Sequence, residues 1–320
     1  MQKDGTMIIT LILLFALVFV NGWTDAPNAI ATCVGSGAMS LKKSAFLAAV
    51  MNLLGSVCAY MYSGKVANSI MNIVSVSNEW QSSILSVSML SVVIWAVAAW
   101  YFGIPTSESH ALVSALCGSA LSCSGTVDRS EIINVALGLV MSVSLGALFG
   151  AFFGMIGKRI KSKESKIRPL VIMSSAIMAF AHGAQDGQKF VGVFLLVLSN
   201  IRLNETHKEI VALMLVSLLM FFGTSLGGER IVNAVGKEMT KLNMNSAFCA
   251  DLGGSLCVLL ATYFGIPLST THSKTTAVMG VGAVTGGVET KKIYSMFFAW
   301  LLTFPCCFLL GYLLMVMVFV

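Results

Sequence analysis

Long apolar stretches recur from one end of the chain to the other. They include 8–20, 84–102, 132–156, 210–222 and 293–320. A helix that crosses a bilayer needs about 20 mostly apolar residues, so the shorter stretches must recruit weakly polar neighbours. The pattern predicts ten membrane spans, at about 7–36, 44–62, 84–102, 106–123, 132–157, 170–198, 209–226, 244–264, 267–288 and 293–320.

Composition supports a membrane protein. The 320 residues are 57% hydrophobic and 11% charged, with a mean hydropathy of +0.86. Such values exclude an ordinary soluble domain and favour an all-α polytopic membrane protein. The eight cysteines lie mostly inside apolar stretches without metal-like spacing, so we interpret them as buried thiols. We expect no cleavable signal peptide, because the first apolar stretch continues directly into polar residues that look functional.

Basic residues predict how the chain is threaded. If the N-terminus is outside, the inside loops hold thirteen Lys and Arg residues and the outside segments hold five. Six of the thirteen lie in one loop, 158–168. The positive-inside rule therefore predicts an outside N-terminus and a cytoplasmic central loop in the plasma membrane. The net charge of +6 reflects this topology and not nucleic-acid binding, because no basic patch is interleaved with aromatic residues.

Two motifs occur twice. "YFGIPTSESH" (101–110) returns as "YFGIPLSTTH" (263–272), with seven of ten residues identical at an offset of 162. More faintly, "NGWTDAPNAIA" (21–31) returns as "HGAQDGQKFVG" (182–192). Each half has five predicted spans. Because five is an odd number, the second half enters the membrane from the opposite side to the first. The sequence thus predicts two inverted-topology repeats, 1–157 and 169–320, joined by the basic linker 158–168, with broken helices or re-entrant hairpins at the midplane.

The longer motif predicts an anion site. Pro105 and Pro267 should end the incoming helix, so the hydroxyl run after each proline begins the next helix. Backbone N–H groups and the helix dipole at such an N-terminus attract anions. The predicted anion ligands are Ser107, Ser109, Ser269, Thr270 and Thr271. Helix capping is the simpler alternative, but one cap needs only one hydroxyl.

Ionisable residues lie inside predicted spans, where each is costly unless it is paired or faces a wet cavity. They are Asp25, Glu108, His110, His182, Asp186, Lys189, Asp251, His272 and Lys274. Structural pairing between helices is one explanation, but clustering in a few segments favours function. Asp25 and Asp186 would repel a bare oxyanion, so we predict that they ligate a cation such as sodium. Asn28 and Gln185 would complete the oxygen shell.

Four stretches carry a resemblance to a known family: "NGWTDAPNAIATCVGSGAM", "GIPTSESHALVSALCGSAL", "AHGAQDGQKFVGV" and "GIPLSTTHSKTTAVMGVGAV". They resemble the signature stretches of the inorganic phosphate transporter (PiT) family, and the bacterial low-affinity permease branch in particular. The resemblance covers nearly the whole chain. It implies import of inorganic phosphate by symport with a proton, sodium or a metal–phosphate complex, without a cofactor.

The resemblance also implies roles for particular residues. Asp25, Asn28 and Asp186 match the acidic motifs, and Asp251 matches an acidic residue on the helix before the second break. The five hydroxyl residues match the two phosphate-binding motifs. The auxiliary residues implied beside them are Glu108, His110, His182 and His272.

Three departures from the family pattern concern the coupling ion. Lys189 stands where many members have Asn, Gln185 replaces another Asn, and Glu108 replaces a small hydroxyl residue. An ammonium at Lys189 could pair with Asp186 and occupy the place of one cation. We therefore expect uptake to follow protons or a metal–phosphate complex more than sodium.

Other functions remain open at this point. A sulfate permease could use the same scaffold, although that branch tends to lose motifs that are kept here. An intramembrane hydrolase could pair Ser107 with His110, but no third orienting residue is apparent, so we do not predict an enzyme. A gated anion channel would lack coupling to a cation gradient. The expected partners are phosphate, a coupling cation and the lipid bilayer, and homodimerisation stays open.

Overall fold

The computed structural model describes residues 2–75, 77, 79–159, 163–199, 201–240 and 242–319. Lys241 and residues 160–162 of the basic linker lie outside this part of the chain. The described α-helices are α1 (Gln2–Thr24), α2 (Ala31–Gly35), α3 (Leu41–Tyr62), α4 (Lys65–Asn72), α5 (Gln81–Tyr101), α6 (Glu108–Ser122), α7 (Arg129–Gly157), α8 (Glu164–Leu198), α9 (Glu205–Ser225), α10 (Glu229–Asn233), α11 (Met244–Phe264), α12 (Thr270–Thr285) and α13 (Thr290–Phe319). Two short strands, β1 (Val74–Ser75) and β2 (Thr126–Val127), pair antiparallel.

Eight helices of the described chain are long and apolar enough to cross a membrane. The other two predicted spans, 106–123 and 267–288, contain the short helices α6 and α12, of 15 and 16 residues. Helices of that length reach only about 22–24 Å. Non-helical residues 104–107 and 266–269 precede them, so both predicted helix breaks are confirmed.

The two acidic motifs differ in backbone structure. After Asp25 the first span changes into a 3₁₀ turn, Ala26–Ile30, before it continues as α2. Pro27 lies in this turn and provides no N–H for an α-helical hydrogen bond. The corresponding Asp186 lies in the unbroken helix α8, where no proline follows it. The break that precedes α2 therefore has no counterpart in the second repeat.

Each short helix forms a hairpin with the long helix before it. The β1–β2 ladder brings the start of α5 and the end of α6 to one end of the bundle. The bridge between Thr240 and Val288 does the same for α11 and α12. The backbone of α7 approaches Pro267 at Gly138 and packs beside Val284 at Gly154. The second hairpin therefore has its open end beside the end of α7, and the first has its open end beside the start of α7. The two hairpins enter from opposite ends of the bundle, which confirms the inverted topology.

Glycines on α7 let α12 pack at short range. Gly146 and Gly150 lie one turn apart, and a Cβ on Gly150 would overlap the carbonyl of Ala277. In the same way, α6 of the first repeat packs on α13 of the second repeat through Gly118 and Gly311. Helices in membranes associate through small residues, because apolar burial does not favour helix contacts over lipid contacts. These contacts fix the depth at which each hairpin turns.

Large apolar side chains cover the outer surface of the bundle. Phe152 of α7 and Leu301 and Met317 of α13 are exposed on the outside. Such extensive exposure is expected of a surface that faces lipid. The chain is therefore a multi-pass membrane protein.

Candidate functional site

The N-termini of α6 and α12 meet in the interior of the bundle, beside the break after α1 and the middle of α8. Ser107 Oγ accepts the backbone N–H of His110 at 3.3 Å, and Ser269 Oγ accepts that of His272 at 3.1 Å. These two hydroxyls therefore cap their helices, as the alternative interpretation proposed. The remaining hydroxyl residues of the two runs have other partners.

Those other hydroxyls contact the charged residues of the acidic motifs. Ser109 Oγ accepts a hydrogen bond from Lys189 Nζ at 2.6 Å. Thr270 Oγ1 donates to Asp186 Oδ2 at 3.1 Å, and Thr271 Oγ1 donates to Asp25 Oδ1. Ser109, Thr270 and Thr271 consequently belong to one site with Asp25, Asp186 and Lys189, built from both repeats.

Asp186 has the larger set of charged neighbours. Lys189 Nζ lies 2.6 Å from Asp186 Oδ1 on the next helical turn, which is the pairing expected from the sequence. The same ammonium donates to the carbonyl of Leu268 at 2.5 Å, just before the cap of α12. On the other side, His182 Nε2 lies 3.3 Å from Asp186 Oδ2. All of these side chains are buried.

Asp25, His182 and Asp186 form a candidate cation site. Each offers one ligand atom, and the three atoms lie within 4.8 Å of one another. Asn28 Nδ2 contacts Asp25 Oδ1 at 3.1 Å, which places its amide beside the group. Two carboxylates and an imidazole suit a hard or borderline cation. His182 is oriented by a contact of 3.1 Å between its Nδ1 and Asn52 Oδ1.

Gln185 holds the second hairpin instead of completing this group. Its Nε2 donates to the carbonyl of Ile266 at 2.9 Å, and its Oε1 accepts from Thr262 at 2.6 Å. Both amide atoms are thereby used at the turn between α11 and α12. Its position next to Asp186 explains why the sequence suggested a ligand.

Asp251 also lies apart from the central site. It forms an ion pair with Lys274 and accepts a hydrogen bond from Thr32 at 2.5 Å. Ser174 and Ser175 donate to its other oxygen at 3.1 and 2.5 Å. The carboxylate is therefore neutralised and fully hydrogen-bonded within its own cluster.

The auxiliary residues lie around the centre. Glu108 Oε1 accepts a hydrogen bond from Thr24, the last residue of α1. The rings of His110 and His272 lie 5.1 Å apart, between the two hairpins. Their outer faces pack on Phe304, at 5.1 Å, and Trp300, at 4.0 Å. Neither imidazole ring has a hydrogen-bond partner among the described residues.

Sequence reasoning missed two asparagines. Asn21 Nδ2 approaches Asp25 Oδ2 at 3.4 Å, and Asn52 positions His182 while donating to Thr224 at 3.1 Å. Both are amides inside otherwise apolar spans, which is a signal for buried polar contacts. The position of Asn21 one helical turn before Asp25 could also have indicated it.

Comparisons with known proteins agree with this architecture. A family model described as the phosphate transporter family matches residues 21–169 and again 158–311. A probable low-affinity inorganic phosphate transporter of Bacillus subtilis (strain 168) is 29% identical over 96% of both chains. A protein of the same description from Rhizobium meliloti (strain 1021) is 29% identical over 92% of this chain and 90% of its own. The solved structure of "The sodium-dependent phosphate transporter" matches with a TM-score of 0.85, 23% identity and 98% coverage of each chain, and shows the shared fold.

Proposed function

Because the chain belongs to the phosphate transporter family, we propose that it imports inorganic phosphate across the plasma membrane as a secondary-active symporter. It is a transporter and not an enzyme. Ser107 accepts the backbone N–H of His110 and not a contact from its ring, so the geometry gives no support to a Ser–His hydrolase. The comparisons give no support to the sulfate alternative.

One observation carries the proposal: a hydroxyl at each of the two helix N-termini contacts a charged side chain of the opposite repeat. Thr271 of the second hairpin donates to Asp25 of the first repeat, and Lys189 of α8 donates to Ser109 of the first hairpin. An oxyanion bound at the N-termini would lie beside the cation group. Binding both ions together offsets their charges, as symport requires.

Lys189 supports coupling to protons more than to sodium. Its ammonium pairs with Asp186 and contacts both hairpins, so the protein supplies a positive charge of its own to the site. A site with a fixed positive charge needs fewer bound cations per phosphate. We therefore propose that a proton gradient, or a metal–phosphate complex, drives uptake. The N-terminus would be outside and the basic linker cytoplasmic, as the charge distribution favours.

Purified protein in proteoliposomes tests this function. Labelled phosphate uptake is measured with an inward proton gradient alone, an inward sodium gradient alone and neither, with choline replacing sodium at fixed pH. We expect the proton gradient to drive accumulation and choline to have little effect. Loss of uptake in choline would overturn the choice of ion. Uptake that ignores both gradients would overturn symport and favour a channel.

A further inference from the structure

The two repeats place different charges around their carboxylates. At an offset of 161, Asp25 corresponds to Asp186, and Asn28 corresponds to Lys189. At an offset of 162, Glu108 corresponds to Thr270, which donates its hydroxyl to Asp186. In the second repeat, Asp186 thus has an ammonium and a hydroxyl donor as neighbours. In the first repeat, the corresponding positions give Asp25 the amide of Asn28 and the carboxylate of Glu108.

The carboxylate of Glu108 is only half satisfied. The residue is 2% exposed, and Thr24 donates to its Oε1. Its Oε2 is buried and has no hydrogen-bond partner among the residues described. The two lysines buried at this depth pair with Asp186 and Asp251, and no ion pair in the described chain reaches Glu108. A buried carboxylate oxygen without a donor is costly, so this oxygen favours a proton or a cation as its partner.

A small cavity lies beside this carboxylate, and the amide of Asn21 lies within hydrogen-bonding reach of it. Asn21 Oδ1 is itself buried without a partner in the described chain. Glu108 also lines a cavity of about 10 Å³ together with Thr24, Thr106 and the apolar side chains of Trp100 and neighbouring residues. That volume is about enough for one water-sized occupant. A carboxylate oxygen and two threonine hydroxyls around such a space suit a small cation.

The surrounding charges leave this position negative. Lys189 pairs with Asp186, so it leaves Asp25 and Glu108 of the first repeat without an ion-pair partner in the described chain. An arriving phosphate would add further negative charge beside them. α5 contributes no charged side chain to the packing around α6, and α13 contributes lysines only at its start, where one pairs with Glu238. The nearby charged or titratable groups are Asp25, His110, Asp186, Lys189, Arg230 and His272.

We propose that Glu108 is a cation position of its own, which takes up one monovalent cation, a proton or an alkali ion, together with phosphate. A proton would bind to Oε2 and turn the carboxylate into a neutral acid that can donate to a neighbouring acceptor such as Asn21. An alkali ion would instead occupy the cavity lined by Glu108, Thr24 and Thr106. The inference rests on the proposed symport function and adds a residue that the cation group around Asp186 does not include.

The variant Glu108→Gln tests this proposal, because glutamine has the size of glutamate and matches the neutral acid. Two quantities are measured in proteoliposomes: phosphate exchange at equilibrium without gradients, and uptake driven by a proton or a sodium gradient alone. Exchange without gradients shows whether the variant still binds and moves phosphate. We expect stimulation by one gradient to be lost, with one fewer cation moved per phosphate. The lost gradient identifies the ion.

Controls separate this proposal from its alternatives. Glu289→Gln removes an exposed carboxylate outside the site and should leave both measurements unchanged. If Glu108→Gln fails to fold, Glu108→Thr restores the residue type of Thr270 and carries the same expectation. A folded variant that keeps the wild-type response to both gradients and the same stoichiometry overturns the proposal alone. Wild-type uptake that ignores both gradients overturns the symport function and this inference with it.

Discussion

At the scale of single residues, the two central carboxylates differ in how their negative charge is compensated. Asp25 and Asp186 approach each other although they lie 161 positions apart in sequence. Asp186 has an ion-pair partner in Lys189, whereas Asp25 has hydroxyl and amide donors only. Buried charges of one sign require compensation, so cation binding should depend more on Asp25 than on Asp186.

Replacing these carboxylates should uncouple transport. We expect Asp25→Asn and Asp186→Asn to abolish accumulation of phosphate against a gradient, because the amide cannot balance a cation. Uptake into energised proteoliposomes measures this, and membrane insertion should be normal. Asp128→Asn is the matched control, since Asp128 is an exposed helix cap and asparagine caps equally well. Accumulation by either site variant would contradict the assigned role.

Asp251 and Lys274 provide a prediction about stability. Asp251→Asn leaves the buried ammonium of Lys274 unpaired, so we expect a loss of about 3–5 kcal/mol. The double variant Asp251→Asn with Lys274→Met should recover most of this loss, because no buried charge remains. Thermal unfolding in detergent measures both. Equal destabilisation in the single and double variants would show that the pair is not the cause.

At the scale of elements, the N-terminus of α12 combines a hydroxyl that caps the helix with one that contacts the central site. Ser269 caps the helix, while Thr270 reaches the carboxylate of Asp186. The corresponding hydroxyls of α6 are Ser107, the cap, and Ser109, the partner of Lys189. Neighbouring positions in one hydroxyl run thus have different roles.

Single alanine variants should separate these roles. Ser269→Ala should lower helix stability by about 1 kcal/mol, because the cap is lost. Thr270→Ala should weaken phosphate binding roughly 10- to 150-fold, since one donor to an anion is worth about 1.5–3 kcal/mol. Calorimetry of phosphate binding and thermal unfolding distinguish the two. If Thr270→Ala binds phosphate normally, its hydroxyl serves only the protein.

The close contact between α7 and α12 should be sensitive to one methyl group. A Cβ on Gly150 would overlap the carbonyl of Ala277, so we expect Gly150→Ala to displace α12 and to reduce both stability and phosphate binding. Gly64→Ala is the control, because a Cβ there meets nothing nearer than a Tyr60 ring atom at 3.5 Å. Normal thermal unfolding of Gly150→Ala would show that the helices can separate without cost.

At the scale of the whole molecule, the inverted repeats bring together groups that are far apart in sequence. The first hairpin is anchored where Trp300 of α13 donates to the carbonyl of Pro105 at 2.9 Å, and the second where α7 approaches Pro267. The first hairpin is thus held by α13, the last long helix of the second repeat. The second hairpin is held by α7, the last long helix of the first repeat. Movement of one repeat against the other would change both halves of the site together, which suits alternating access.

The sequence alone determined the membrane class, the two repeats, their inverted orientation and both breaks before α6 and α12. These features depend on local properties: the length of apolar stretches, an odd number of spans, and prolines that prevent a backbone hydrogen bond. The motif residues at the centre were identified for the same reason, because ionisable groups inside a membrane are rare and costly.

Only the tertiary structure decided which of those residues meet. It directed Asp251 to Lys274, and it committed Gln185 to the turn of the second hairpin. It also made caps of Ser107 and Ser269. Such partnerships depend on how far each helix is rotated and how closely it approaches its neighbour. Both are set by contacts such as Gly150 against Ala277, whose partners are distant in the chain.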